Sequence, residues 1–251
     1  RYFLLPVLNI TGPVLIAFAC LLLLPVFVSN LYNDGAAFGF EVACVLCLVT
    51  GLLLYVFTKR HRRELLPRDG FLLATIIWTV TPLFGAIPLM LEIPGISFTH
   101  AYFESMSGIT TTCATVLSGL NQLPESINFW RCLMSWIGGM GILCFLIAVV
   151  PKSNSNSMYV MKAEVPGPTA GKVTPKISES ARSLYIIYSV MTVIEIIVLF
   201  FGSRITGDNL RLFDSVVTSF ATAGTGGFSV LNSSILGYNS KFVEWVCIIF
   251  M

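Results

Sequence analysis

Charge is scarce in this sequence. Lysine, arginine, aspartate and glutamate together make 11% of the 251 residues, and only two are histidine. So few charges cannot clothe an ordinary soluble domain. The net charge of +2, grouped by loop instead of in a stripe, argues against a nucleic-acid partner. Catalytic signatures are missing too. There is no GxSxG, no HExxH, no phosphate loop ending in GK[ST], and no pair of carboxylates at helical spacing inside an apolar run, so the expectation is a protein that is not an enzyme. The run Gly224 to Gly227 is too short for a dinucleotide fingerprint and has no preceding strand. The seven cysteines show no recurring metal-ligand spacing, and no covalently bound cofactor is expected. Cys44 and Cys47 do form a CxxC, but inside an apolar run, where a thiol packs as a small hydrophobe.

Hydrophobic residues make up 55% of the chain, so the bilayer is the expected solvent and lipid the expected surroundings. Five apolar runs approach the ~20 residues needed to cross a hydrocarbon core. They are Pro6–Leu31, Phe38–Thr58, Gly70–Leu91, Phe129–Val150 and Leu184–Phe201. A sixth, Phe242–Met251, is too short, and with Arg1 at the other end the chain reads as a piece cut at both ends. No cleavable signal is expected, because the first run leads directly into further spans.

Basic residues set the orientation. Arg1, the cluster Lys59, Arg60, Arg62, Arg63 and Arg68, and the group Lys152, Lys162, Lys172, Lys176 and Arg182 fall at alternate ends of the spans and mark the cytoplasmic side. The opposite loops carry Asp34, Glu41, Glu92, Glu104 and Glu125 and are expected to face outward. Residues 152–180, with Ser-Asn repeats and then Pro166, Pro168 and Pro175, read as a cytoplasmic connector.

Sliding the chain by 114 residues superposes two units without a gap: Arg68 on Arg182, Ser105 on Ser219, Thr111 on Thr225, Val116 on Val230 and Leu117 on Leu231. The repeats run in the same direction, unlike the inverted repeats of many secondary transporters. The chain thereby divides into four segments. Residues 1–63 hold two N-terminal helices and a basic loop, 64–151 a first helix, loop, helix unit, 152–180 the connector, and 181–251 a truncated second unit.

Each unit carries an unusual loop. Residues 97–108, SFTHAYFESMSG, are half apolar and about three turns long, and ITTTCATV comes next at 109–116. In the second unit LFDSVVTSFA at 212–221 precedes TAGTGGFS at 222–229. A short half-helix leading into a Thr/Gly-rich stretch suits a re-entrant loop, because non-helical backbone at membrane depth survives only inside protein or along a wet cavity. Small flexible residues let backbone carbonyls turn towards a dehydrated cation, and the C-terminal end of each half-helix adds partial negative charge. A plain loop or a small-residue packing surface is the alternative reading of either run taken alone.

The stretches FESMSGITTTCATV (103–116), WIGGMGI (136–142), AEVPGP (163–168) and TGGFS (225–229) together resemble the Trk/Ktr/HKT superfamily of potassium transporters, most closely its bacterial TrkH branch. The resemblance implies an all-α polytopic membrane protein of the bacterial inner membrane. Four helix, pore-loop, helix units would surround one pore behind two extra helices, and this chain would hold the two helices and two of the units. It further implies potassium as the transported ion, homodimerisation, and a cytosolic nucleotide-binding regulatory subunit of TrkA type. Carried over by position, the potassium-binding filter residues are Thr111, Thr112 and Cys113 in the first unit and Thr225, Gly226 and Gly227 in the second.

Cys113 departs from the glycine usual in that family. A Cβ in left-handed backbone costs about 1 to 2 kcal/mol. Three outcomes stay open: the residue avoids that conformation, distorts its quarter of the ring, or weakens discrimination of potassium from sodium. Glu195, inside an apolar run, is either functional or held neutral by a hydroxyl. Gly138, Gly139 and Gly141 are expected to let a helix approach the pore loop closely. His61 and His100 have no ligand constellation around them. An ion-coupled secondary transporter of another small solute remains the competing reading.

Overall fold

The computed structural model describes residues 4–59, 67–141 and 177–251, and these fold into helices and the turns between them. Helix dominates for a physical reason: in hydrocarbon every backbone N–H and C=O needs a partner within the chain. The long elements are α1 (Leu4–Tyr32), α2 (Ala37–Thr58), α3 (Pro67–Glu92) and α6 (Ile177–Thr206), and all four are long and apolar enough to cross a membrane. Between them lie the shorter α4 (Phe98–Ile109), α5 (Glu125–Gly139), α7 (Leu212–Ala223) and α8 (Lys241–Phe250). The expected span Phe129–Val150 begins earlier, at Glu125, and beyond Gly141 it lies outside the described residues. So do residues 60–66, which include Arg60, Arg62 and Arg63, and all of the connector before Ile177.

Helices α1 and α2 form an antiparallel hairpin closed by a tight turn, in which Asn33 and Gly35 have positive φ of 50° and 79°. They cross at Gly12 and Gly51, where a Cβ on either residue would stand 2.9 Å from the other's carbonyl oxygen. Without a hydrophobic force between helices in lipid, close backbone approach of this kind is what holds a pair together. The CxxC serves the same crossing. Cys47 Sγ donates to the Leu15 carbonyl and Cys44 Sγ to that of Ala19, each at 3.2 Å. Both thiols are free.

This hairpin leans on α3 and α5 through aromatic packing. Trp130 of α5 is fully buried, stands edge-on to Phe18 of α1 and Phe40 of α2, and donates its Nε1 proton to the Gly85 carbonyl of α3 at 3.1 Å. Acidic side chains tie the outer turns. Glu92, at the end of α3, accepts from the Gly39 N–H in the first turn of α2. Asp34 accepts from the Ser126 N–H at 2.8 Å in the first turn of α5, from Ala36 N–H at 3.1 Å, and from the Ser29 hydroxyl. Pro124, which precedes α5, offers no capping side chain, so Asp34 caps that helix from another part of the chain.

Partial desolvation pushes the Asp34 carboxyl up, but the hydrogen bonds from Ser29, Ser126 and Ala36 outweigh it and hold the group below its usual range. A depressed carboxylate stabilises the fold above its ordinary pKa and loses that contribution as pH falls through the lowered one. Replacing Asp34 by asparagine removes the charge that strengthens these bonds and should therefore lower stability by about 1 kcal/mol at neutral pH. The difference should shrink as pH falls through the lowered pKa of Asp34. Thermal unfolding of purified protein at several pH values tests this, and a gap that persists in acid would refute it.

Candidate functional site

The 114-residue shift is reproduced at both ends of the two short helices: α4 runs from Phe98 to Ile109 and α7 from Leu212 to Ala223. Twelve residues rise about 18 Å, well short of a hydrocarbon core. Helix α4 is started by Ser97, whose Oγ accepts the His100 N–H at 3.2 Å, and His100 itself is exposed.

The backbone just past each of these helices is strained in the same pattern. Thr111 has φ 57° and Cys113 has φ 51°; at the equivalent places Thr225 has φ 51° and Gly227 has φ 111°. The residues between them, Thr112 and Gly226, have no positive φ. Such alternation turns successive carbonyls towards one side of the chain. A β-branched residue at positive φ is an outlier that the surroundings must enforce. Here two threonines share that conformation at one repeat position. Cys113 does adopt the left-handed conformation that its Cβ disfavours, so it does not avoid the glycine-like geometry.

The N–H groups of these stretches are anchored backwards onto the half-helices. Thr110 and Gly224 donate to the Met106 and Phe220 carbonyls at 2.9 and 3.1 Å, and Thr111 and Thr225 to those of Gly108 and Thr222 at 2.9 and 2.8 Å. The match then slips by one residue: Cys113 N–H reaches the Ser107 carbonyl and Gly226 N–H that of Ala221, both at 3.0 Å. Among the described residues, none of the carbonyls of Thr111, Thr112, Cys113, Thr225, Gly226 or Gly227 accepts a hydrogen bond from the protein. Backbone carbonyls at membrane depth need partners. The C-terminal ends of α4 and α7, with their partial negative charge, lead directly into these stretches.

Helix α5 is the post against which both stretches stand. Cys113 Sγ donates to Ser135 Oγ at 3.3 Å. A Cβ on Gly226 would overlap both of those atoms, and one on Gly224 would stand 2.6 Å from the Ser135 carbonyl oxygen. A Cβ on Gly138 would overlap the Ile109 carbonyl, and one on Gly139 would be 2.8 Å from Gly224 Cα. Of the three glycines expected to permit close approach, Gly138 does so towards the first loop and Gly139 towards the second. Trp136, one turn earlier, donates Nε1 to Thr192 Oγ1 at 3.0 Å, and its carbonyl accepts from the Tyr188 hydroxyl at 3.0 Å, fixing α6 to the same post.

One assignment from the sequence needs correction. Glu104, placed among the outward-facing acids, is fully buried in α4 and pairs with fully buried Arg131 of α5, Oε1 to Nε at 2.8 Å. Burying a lone carboxylate costs too much to tolerate, and the arginine removes that cost. Arg131 is a buried charge that sequence reasoning passed over, although it lies within an expected span and the same logic applied to Glu195 would have found it. Glu195 is 1% exposed, and among the described residues neither carboxyl oxygen has a hydrogen-bond partner; the hydroxyl that faces it is that of Thr222, in the last turn of α7. Thr222 Oγ1 donates instead to the Thr218 carbonyl at 2.9 Å.

Residues 38–251 match the family model described as TrkH, a cation transport protein. This chain belongs to the TrkH family. Among similar TrkH proteins, the Trk system potassium uptake protein TrkH of Halomonas elongata is 38% identical over 247 residues, 98% of this chain and 50% of its own length. The protein of the same name from Escherichia coli K12 is 36% identical over 245 residues, 97% of this chain and 50% of its own. The crystal structure of the potassium transporter TrkH from Vibrio parahaemolyticus superposes with a TM-score of 0.80 at 33% identity, covering 98% of this chain and 48% of that one. The chain thus spans about half the length of the TrkH relatives it matches, and its fold is that of an all-helical, polytopic, potassium-channel-like membrane protein.

Proposed function

We propose that this chain supplies two pore-loop units of a potassium-uptake pathway in the bacterial inner membrane. The carbonyls of Thr111, Thr112, Cys113, Thr225, Gly226 and Gly227 furnish the oxygens that replace the ion's hydration shell. Potassium is cargo here, and the pathway needs no further cofactor. The segment boundaries are 1–63 for the N-terminal pair and its loop, 64–151 and 181–251 for the two units, and 152–180 for the connector. By the same resemblance, the whole protein forms a homodimer and binds a cytosolic nucleotide-binding regulatory subunit of TrkA type.

The observation that carries the reading is the pair of strained stretches, 114 residues apart, whose six carbonyls accept nothing from the protein among the described residues. A ring of carbonyl dipoles selects a univalent cation without any fixed carboxylate. Neither stretch contains one.

The test is growth at limiting potassium of a bacterium lacking its own uptake systems, complemented with the whole protein that contains this chain. Rescue is expected, together with uptake of rubidium, a potassium congener, in excess of sodium. Cys113 carries strain that glycine would not, so Cys113→Gly should raise the rubidium-to-sodium ratio several-fold, in keeping with relief of about 1 to 2 kcal/mol. Equal ratios would contradict the role given to Cys113. No rescue at all would favour a secondary transporter of another solute.

A further inference from the structure

We infer that Arg131 is a positioning residue for both carbonyl-lined stretches at once, fixing their separation and through it the choice of cation; the inference rests on the potassium reading above. The guanidinium is 0% exposed, and its bonds reach three separate segments. Nε donates to Glu104 Oε1 of α4 at 2.8 Å. One terminal nitrogen donates to Asn128 Oδ1 at 3.1 Å and to the Ser229 carbonyl at 3.2 Å, and the other to Thr115 Oγ1 at 3.2 Å. Its carbon lies 4.4 Å over the centre of the Phe228 ring.

Those contacts fall just past each stretch: Thr115 is two residues beyond Cys113, and Phe228 and Ser229 come directly after Gly227. Glu104 completes the bridge on the first side, accepting from Thr115 Oγ1 at 2.8 Å and from the Val116 N–H at 3.1 Å. The far ends of the two stretches are therefore tied to one planar group on α5, as their near ends are held by the half-helices.

Stability alone is a poor reason for such a group. A buried ion pair recovers little beyond its own desolvation, and well-packed apolar residues often do as well. What an apolar filling cannot do is hold acceptors on three separate segments at once. The fork of donors on arginine does this, and the point charge of lysine does not. Selectivity depends on the number and spacing of carbonyl dipoles around the ion, so a link between two quarters of the ring sets the quantity that selection reads.

The experiment measures rubidium and sodium uptake by the whole protein in liposomes, per mole of folded protein, for wild type, Arg131→Lys and Thr115→Val. Arg131→Lys keeps the charge opposite Glu104 and gives up the fork. Thr115→Val keeps the whole pair and removes the hydroxyl that accepts from Arg131, donates to Glu104 and accepts from the Leu117 N–H. A fall in the rubidium-to-sodium ratio of at least about fivefold, the factor a single lost hydrogen bond allows, is expected for both Thr115→Val and Arg131→Lys. A purely structural role would change only the amount of folded protein. If Arg131→Lys cannot be recovered folded, Thr115→Val decides alone. Wild type selective and both variants equally selective overturns the role of Arg131, whereas wild type taking up neither ion overturns the potassium reading and this inference with it.

Discussion

Replacing Gly138 by alanine should remove about 3 kcal/mol or more of stability and leave little folded protein in the membrane. The added Cβ would overlap the carbonyl oxygen of Ile109, with the Ile109 carbonyl carbon at 2.8 Å and Thr111 Cγ2 at 3.1 Å. Two of those three atoms are backbone. Ile109 closes α4, and the N–H groups of Thr110 and Thr111 just beyond it are already bonded back into the helix, so the carbonyl cannot swing aside without dragging the first stretch with it. Gly39 makes the contrast. A Cβ there meets the Glu92 side chain at 2.6 to 3.1 Å, and a flexible side chain can give way. Gly39→Ala should cost about 1 kcal/mol or less. Unfolding midpoints of the two purified variants beside wild type measure the difference. A Gly138→Ala protein that melts with wild type would mean that α5 does not bear on the first loop.

The second large effect concerns transport. Gly227 has φ 111°, beyond the left-handed basin that Thr111, Cys113 and Thr225 occupy near 50 to 57°. Residues with a side chain rarely hold such a conformation, and forcing one there costs about 1 to 3 kcal/mol. Yet a Cβ on Gly227 would find nothing within 4 Å. Gly227→Ala is thus a test of backbone geometry with size left out of it, and uptake of rubidium by the whole protein should fall by an order of magnitude or more. Gly226→Ala fails for the opposite reason, because its Cβ collides with Cys113 Sγ and Ser135 Oγ. Adding Cys113→Gly to Gly226→Ala should restore part of the uptake, and adding it to Gly227→Ala should restore none. Equal rescue of both would show that the two glycines are needed for one common reason.

Much of this architecture was legible from apolar run length and from the Thr/Gly stretches, because a bilayer leaves the chain few solutions. The half-helices end where the repeat shift puts them, and the run of positive φ at Thr111, Cys113, Thr225 and Gly227 obeys the same shift. Glu104 and Arg131 escaped because summing charge by loop treats each acid as solvated. A pair 27 residues apart on different helices leaves no periodic trace. Asp34 and Glu92 lie at turns, but their capping of α5 and α2 depends on how the N-terminal hairpin sits against the first unit, and tertiary packing of that kind has no sequence signal of its own.

Ser135 stands between Cys113 and the Gly224 and Gly226 backbone, and Gly138 and Gly139 meet one loop each. For anyone building chimeras, this redraws the exchangeable part. A graft that moves the second loop between related chains while leaving α5 behind would set a foreign loop on a surface shaped for another. The smallest portable piece runs from α5 through the second loop, across the seam between the repeats. Two loops that share a wall in this way inherit change jointly, so drift in one loop is limited by what the other can accept.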